Sequence, residues 1–448
     1  MDVEILSRIQ FAFTIAFHYI YPPISIGLGL ILVFMEGLYL KTKNPLYHQM
    51  TRFWVKIFAL VFGIGVATGI VMEFEFGTNW ASYSRYVGDI FGSALAAEGV
   101  FAFFLESGFL AVLVFGWDRV SPKMHFFSTC MVSLGSTFSA VWIIVANSWM
   151  QTPTGYRIVT DRQGGPRAEV TNFWEMVFNP SSVDRLMHTV SAAWITGAFF
   201  VVSVSAYYLL KRRHVEFAQA SMKIGLGLAL FASVLQPILG HKSAVGVAAN
   251  QPAKMAAFEG HFDSTKPMNL AMIGWVNEAS GQVAGITIPG GGSWLLTQNA
   301  SAPVTGLDAF LPEDRPPLQL TFQAYHIMVT VGMAMIGIVL ITYLLLKTGK
   351  LWTADGWLRI LVLSVVLPQI GNQFGWIAAE VGRQPWIVYN MLRTSDGLSK
   401  VVNSNQVMTS LVLFGLVYLL LFVLFIYLLD RKIKQGPVLE EAVQTRGL

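Results

Sequence analysis

The chain has 448 residues, 54% hydrophobic and only 12% charged, with net charge +4 and mean hydropathy +0.55. A soluble globular enzyme carries about 25% charged residues, so this composition excludes one and points to an integral membrane protein. The single cysteine, Cys130, excludes disulfides, thiolate zinc sites and cysteine-held iron–sulfur clusters within the chain. The small basic excess sits in loops, where it sets topology; it is no nucleic-acid surface.

The start, "MDVEILSRIQFAF", has acids where a cleavable signal needs a basic region, so the apolar run from Phe11 to Leu40 is expected to remain and span. Runs of about 20 apolar residues then recur, the length that crosses a bilayer as a helix. The expected spans are 10–40, 54–72, 94–116, 126–147, 186–210, 221–240, 321–346, 357–379 and 407–429. The fold class is therefore an all-α integral membrane protein with nine transmembrane helices. Lys41, Lys43, Arg52 and Lys56 follow span one, Arg119 and Lys123 span three, and Lys211–His214 span five. Lys347, Lys350 and Arg359 follow span seven, and Arg431, Lys432 and Lys434 span nine. All these lie on one face, which the positive-inside rule makes cytoplasmic. The N-terminus is then outside and the C-terminus cytoplasmic. Long polar segments at about 148–185 and 241–320 lie outside, and a loop as long as the second has a function or is mobile. The chain divides into spans one to six (1–240), the outer loop (241–320), and spans seven to nine with a cytoplasmic tail (321–448).

Polar residues inside spans are expensive and mark function. His18 lies early in span one, His188 at the start of span five, Met328 two turns into span seven, and Glu380 at the end of span eight. Odd spans begin outside and even spans end there, so all four are expected near the outer face. Histidine and methionine form a recurrent axial pair for haem iron. Taken singly, each has a plainer role as a packed core residue or an interfacial charge; their shared depth favours a membrane redox protein. Span three carries Glu98 and Glu106, about 12 Å apart along a helix and turned about 80° beyond two full circles. Carboxylates stacked by depth suit a proton relay, although two packing glutamates bonded to neighbouring helices are the alternative. Ser139 and Asn147 in span four are expected to order water or to bond between helices. His48, His125 and His214 fall in or beside basic-side loops and His241 and His261 in the outer loop, and all five are weaker candidates.

Six stretches now carry a resemblance: "LSRIQFAFTIAFHY", "GVATGIVMEFEFGTNW", "YVGDIFGSALAAEGVFAFFLES", "VANSWMQTP", "HTVSAAWITGA" and "GWIAAEVGRQPW". In this order they resemble subunit I of cytochrome bd-type quinol oxidases, from the first span to the last. The outer loop resembles the short form of the family's quinol-binding loop, as in the cyanide-insensitive branch. The resemblance implies a terminal respiratory oxidase of the bacterial cytoplasmic (inner) membrane. It oxidises ubiquinol or menaquinol outside and reduces O2 to water with cytoplasmic protons. It also implies a low-spin haem b, a high-spin haem b and haem d (or a third haem b), with no copper. The partners implied are a homologous second membrane subunit and a small single-span subunit of the kind many members carry. A haem-bearing quinol-binding anchor that does not touch O2 is the alternative.

Residue by residue, His188 and Met328 match the axial ligands of the low-spin haem. His18 matches a ligand of haem d and Glu380 a ligand of the high-spin haem b, a pairing that is exchanged in some members. Glu98 and Glu106 match the proton-pathway carboxylates, with Ser139 on the inner approach. Lys254 and Glu259 match the quinol-binding pair of the outer loop. Arg8 and Arg383 match cationic residues near the haems, Trp376 an aromatic between haems, and Asn147 a neighbour of the low-spin haem. His326 stands where many members carry Arg, which replaces a fixed charge by a titratable one and puts the low-spin potential in doubt. Two residues from Met328, it is expected to face another side of the helix.

Overall fold

The computed structural model describes residues 2–161 and 164–437; the end of the tail, 438–448, lies outside the described residues. Among the described residues, nine helical segments are long and apolar enough to cross a membrane: Val3–Thr42, Pro45–Thr78, Gly88–Phe115, Pro122–Gln151, Ser182–Leu210, Val215–Asn250, Pro312–Lys347, Asp355–Val381 and Ser404–Gln435. They are called spans one to nine below. Each contains or overlaps the corresponding expected segment. Most helices run on past the apolar stretch, because hydropathy marks the membrane and not the end of the helix.

Span one is two helices, Val3–His18 and Pro22–Thr42. Pro22 and Pro23 lack the amide protons that a continuous helix needs, so the chain breaks at Tyr19–Tyr21 and His18 ends the first half. The break frees backbone carbonyls inside the membrane, where they require partners. Gln373 of span eight donates to the Ala16 carbonyl at 2.8 Å and Gln369 to that of Ile20 at 3.1 Å. The polar face of span eight thus stabilises the break that positions His18.

Span five is the hub. Its most apolar window is 83% buried, against 11% for span nine. It packs on span six and on the second half of span one. That second contact is close because Gly27 faces Gly197: a Cβ on Gly27 would stand 2.4 Å from the Ala193 carbonyl oxygen. Small residues at a crossing are how membrane helices approach without a hydrophobic driving force between them. Span nine is covered least, and most of its apolar surface is left for lipid or a partner.

The two long segments between spans are structured. After span four, β1 (Tyr156–Thr160) and β2 (Pro166–Val170) form an antiparallel hairpin. Span six continues to Asn250, ten residues past the expected end, so the second loop is shorter than 241–320. It contains the helix Pro252–Glu259 and the antiparallel pair β3 (Leu270–Asn277) and β4 (Gln282–Ile288). This loop is docked on span seven. Phe258 stacks on Tyr325 at 4.5 Å, and Phe322 is fully buried beneath it.

Candidate functional site

Glu380 ends span eight, in the last turn of the helix Val366–Val381. Its Oε2 accepts from the Arg383 guanidinium, and its Oε1 accepts from Asn147 at 3.1 Å and Gln151 at 3.0 Å, both on span four. Arg185, in the first turn of span five, comes to 3.9 Å of the same oxygen and donates to Asn147 Oδ1. The Arg185 guanidinium also lies 5.8 Å over the ring of Trp376, whose face meets Tyr19 edge-on at 5.5 Å. From the outer loop, Lys254 is fully enclosed and donates to Gln151 and Gln251 at 2.6 Å each. Burial, with the Arg185 charge adding to it, holds the Lys254 amine well below the usual lysine range. Span five, the loop and the turn after span eight thus bring three basic side chains to one carboxylate.

Buried cations in excess need anions. Arg383 Nη1, Arg185 Nε and Gln251 Nε2 are buried donors that no group among the described residues accepts. Three such donors in one place fit anionic groups from outside the chain, as haem propionates would supply. The four candidate ligands have matching surroundings. His18, His188, Met328 and Glu380 are each only half-buried, although they lie within the spans. Three of them lie against glycines. A Cβ on Gly69 would meet the His18 ring at 3.2 Å, on Gly240 the His188 ring at 3.5 Å, and on Gly375 the Met328 sulfur at 3.0 Å. His18 Nδ1 has Thr68 at 3.0 Å, and the Gln236 amide lies 3.3 Å from His188 Nδ1. Among the described residues no three of His, Cys, Asp or Glu gather as a metal site. One or two protein ligands suffice for haem iron, because the macrocycle supplies the others. The residues present therefore fit haem.

Span three is interrupted by a π-helical segment, Gly99–Phe103, between Glu98 and Glu106. The wider turn reduces the rotation between the two carboxylates, so both address span four, where Ser139 donates to Glu98 Oε1 and Ser136 to Glu106 Oε1. Such segments concentrate at functional sites. Gly135 makes the room: a Cβ there would stand 2.3 Å from Glu106 Cγ. A further carboxylate, Glu75 of span two, is buried and accepts from Thr14 at 2.7 Å.

Other expected residues lie apart from the Glu380 cluster. Arg8 pairs with Glu4 at 3.8 Å in the first half of span one. His326 is buried on the outer-loop side of span seven and stacks on Phe322 at 4.0 Å. Its ring nitrogens face the carbonyls of Phe322 at 2.8 Å and Ala271 at 2.9 Å, and Nε2 is 4.0 Å from Glu259. It ties β3 to the span. Glu259 accepts from the Ala271 amide at 2.9 Å, and burial pushes its carboxyl up to about 8. Lys254 and Glu259 begin and end one short helix segment, but Lys254 points to the Glu380 cluster and Glu259 to His326. Arg185, Gln151, Gln236 and Tyr19 were not legible as site residues, because charges and amides at span ends read as interfacial anchors.

The family model of cytochrome bd terminal oxidase subunit I matches residues 6–437. The cytochrome bd ubiquinol oxidase subunit 1 of Bacillus subtilis is 39% identical, over 97% of this chain and 94% of its own length. The cytochrome bd-II ubiquinol oxidase subunit 1 of Escherichia coli is 34% identical, over 97% of both chains. A solved structure of the bd oxidase from Geobacillus thermodenitrificans superposes with TM-score 0.90 at 29% identity, covering 97% of this chain and 99% of that one.

Proposed function

This chain belongs to the cytochrome bd terminal oxidase subunit I family, and from that premise we propose that it is the haem-bearing subunit of a quinol:O2 oxidoreductase. It resides in the bacterial cytoplasmic membrane with a homologous second subunit. The observation that carries the reading is the cationic pair of Arg185 and Arg383 at Glu380, with Lys254 enclosed beside them and buried donors left for an external anion.

In this reading two quinols give up four electrons and four protons, and one O2 takes up the same to form two waters. The haems, when bound, supply electron transfer and oxygen reduction without copper. His188 and Met328 hold the low-spin haem b. His18 and Glu380 hold the oxygen-side haems, and Arg185 and Arg383 neutralise their propionates. Glu259 accepts a quinol proton outside, and the loop helix that carries it keeps the quinol over span seven. Glu106 and then Glu98 deliver cytoplasmic protons past Ser136 and Ser139. Because the oxygen-side ligands sit near the outer face, those protons cross most of the membrane. Charge is separated without a pump, worth about 2.3 kcal/mol per charge per 100 mV.

A reduced-minus-oxidised spectrum and quinol-dependent O2 uptake of the purified complex test this reading. The oxidase gives signals from three haems together with O2 uptake; an electron-passing anchor gives a single haem and no uptake. A pH dependence follows from Glu259. Protonated, this carboxyl cannot take a quinol proton, so quinol oxidation rises as pH passes upward through about 8. Glu259→Gln flattens that rise; a wild-type rate that falls over the same interval contradicts the role.

A further inference from the structure

The basic end of the bundle contains a buried acid–base pair that the relay above does not use. Glu36, near the end of span one, is 2% exposed, and His125, in the first turn of span four, is 3% exposed. Glu36 Oε1 lies 2.6 Å from His125 Nδ1, and His125 Nε2 lies 3.1 Å from the Leu113 carbonyl of span three. Both ring nitrogens thus face acceptors. The other Glu36 oxygen accepts from Thr129, one turn along span four. The His125 ring lies against Trp117 at 3.9 Å in a tilted contact, and Trp117 meets His48 and Arg52 of span two among the basic residues.

Span four continues the pattern. His125, Thr129, Ser133, Ser136 and Ser139 are spaced four, four, three and three residues apart, which keeps them on one helix face over about 21 Å. The first four are buried. The third and fourth hydroxyls of this stripe, Ser136 and Ser139, donate to Glu106 and Glu98. Polar side chains on one face of span four therefore stand turn by turn between the buried pair and both relay carboxylates.

We propose that Glu36 and His125 are the proton inlet of the relay. A proton taken from the basic face is held between Glu36 Oε1 and His125 Nδ1. Each hydroxyl of Thr129, Ser133 and Ser136 in turn takes up a proton as it releases its own, so that one O–H bond forms and one breaks at each, and the Glu106 carboxylate gains the last proton. The pair acts through Glu106 and touches no reacting oxygen, so both are positioning and relay residues. This assignment rests on the oxidase reading and on the basic face being cytoplasmic.

The test uses the purified complex and two readouts. Infrared spectroscopy follows hydrogen–deuterium exchange of the Glu106 carboxyl, its band identified by its loss in Glu106→Gln; this needs no turnover. Quinol-driven O2 uptake is measured beside it, with haem content as control. Thr129→Val keeps the side-chain shape and the Glu36–His125 contact but removes the first hydroxyl. We expect Thr129→Val and Glu36→Gln to slow exchange at Glu106 and O2 uptake about tenfold, with haem content unchanged and Glu36→Asp partly restoring both. Wild-type exchange in Thr129→Val overturns the proposal. So does loss of haem in Glu36→Gln with Thr129→Val unaffected, which makes the pair a clamp between spans one, three and four. If wild type consumes no O2 with quinol, the oxidase reading fails, and exchange at Glu106 still decides the inlet.

Discussion

Met328→Leu removes the low-spin haem signal from the reduced-minus-oxidised spectrum, spares the oxygen-side haems and lowers quinol oxidation about 100-fold. The substitution conserves volume, so packing loss is small, less than about 1.5 kcal/mol. What disappears is the thioether, which stands against Gly375 where a Cβ would come to 3.0 Å. A core methionine replaced by leucine leaves a spectrum unchanged; an iron ligand so replaced does not. The neighbouring His326 does not substitute for the lost ligand, because both of its nitrogens face backbone carbonyls on the loop side of span seven. An unaltered spectrum in the purified variant removes Met328 from the ligand set.

Glu106→Gln slows O2 reduction about 100-fold while every haem is retained. Glutamine keeps the shape and can still accept from Ser136, so spans three and four stay packed around Gly135. It cannot take up and release a proton. The check is oxygen uptake with excess quinol beside haem content: normal turnover with full haem makes Glu106 a packing residue, and loss of haem makes it structural. Glu98→Gln is expected to act in the same direction, since Ser139 holds it on the same helix face.

The nine spans were legible because about 20 apolar residues in a row have few other uses. The break at Pro22–Pro23 was legible in principle, yet it hides within one continuous apolar run. The helix extension to Asn250 was not, because "HKSAVGVAAN" is neither apolar enough for the membrane nor marked by a stop. Among the site residues, depth parity alone brought His18, His188, Met328 and Glu380 to one face as an expectation. It was blind to Arg185 and Gln151, whose partners lie on other spans, 195 and 229 positions away in the case of Glu380. The π segment depends on how span three meets span four and has no local residue signature. The Glu36–His125 pair was missed for a similar reason: His125 reads as a loop histidine, and only folding buries it against an acid 89 residues earlier.

His18, His188, Met328 and Glu380 are proposed here to hold haem iron near one face of the bundle. A cryo-electron-microscopy map of the purified complex tests it most directly. The expected map has one haem iron bonded by His188 and Met328 together, a second at His18 and a third at Glu380, with propionates at Arg185 or Arg383. Haem density away from these four side chains, or a map with no haem in a complex that still reduces O2 with quinol, contradicts it.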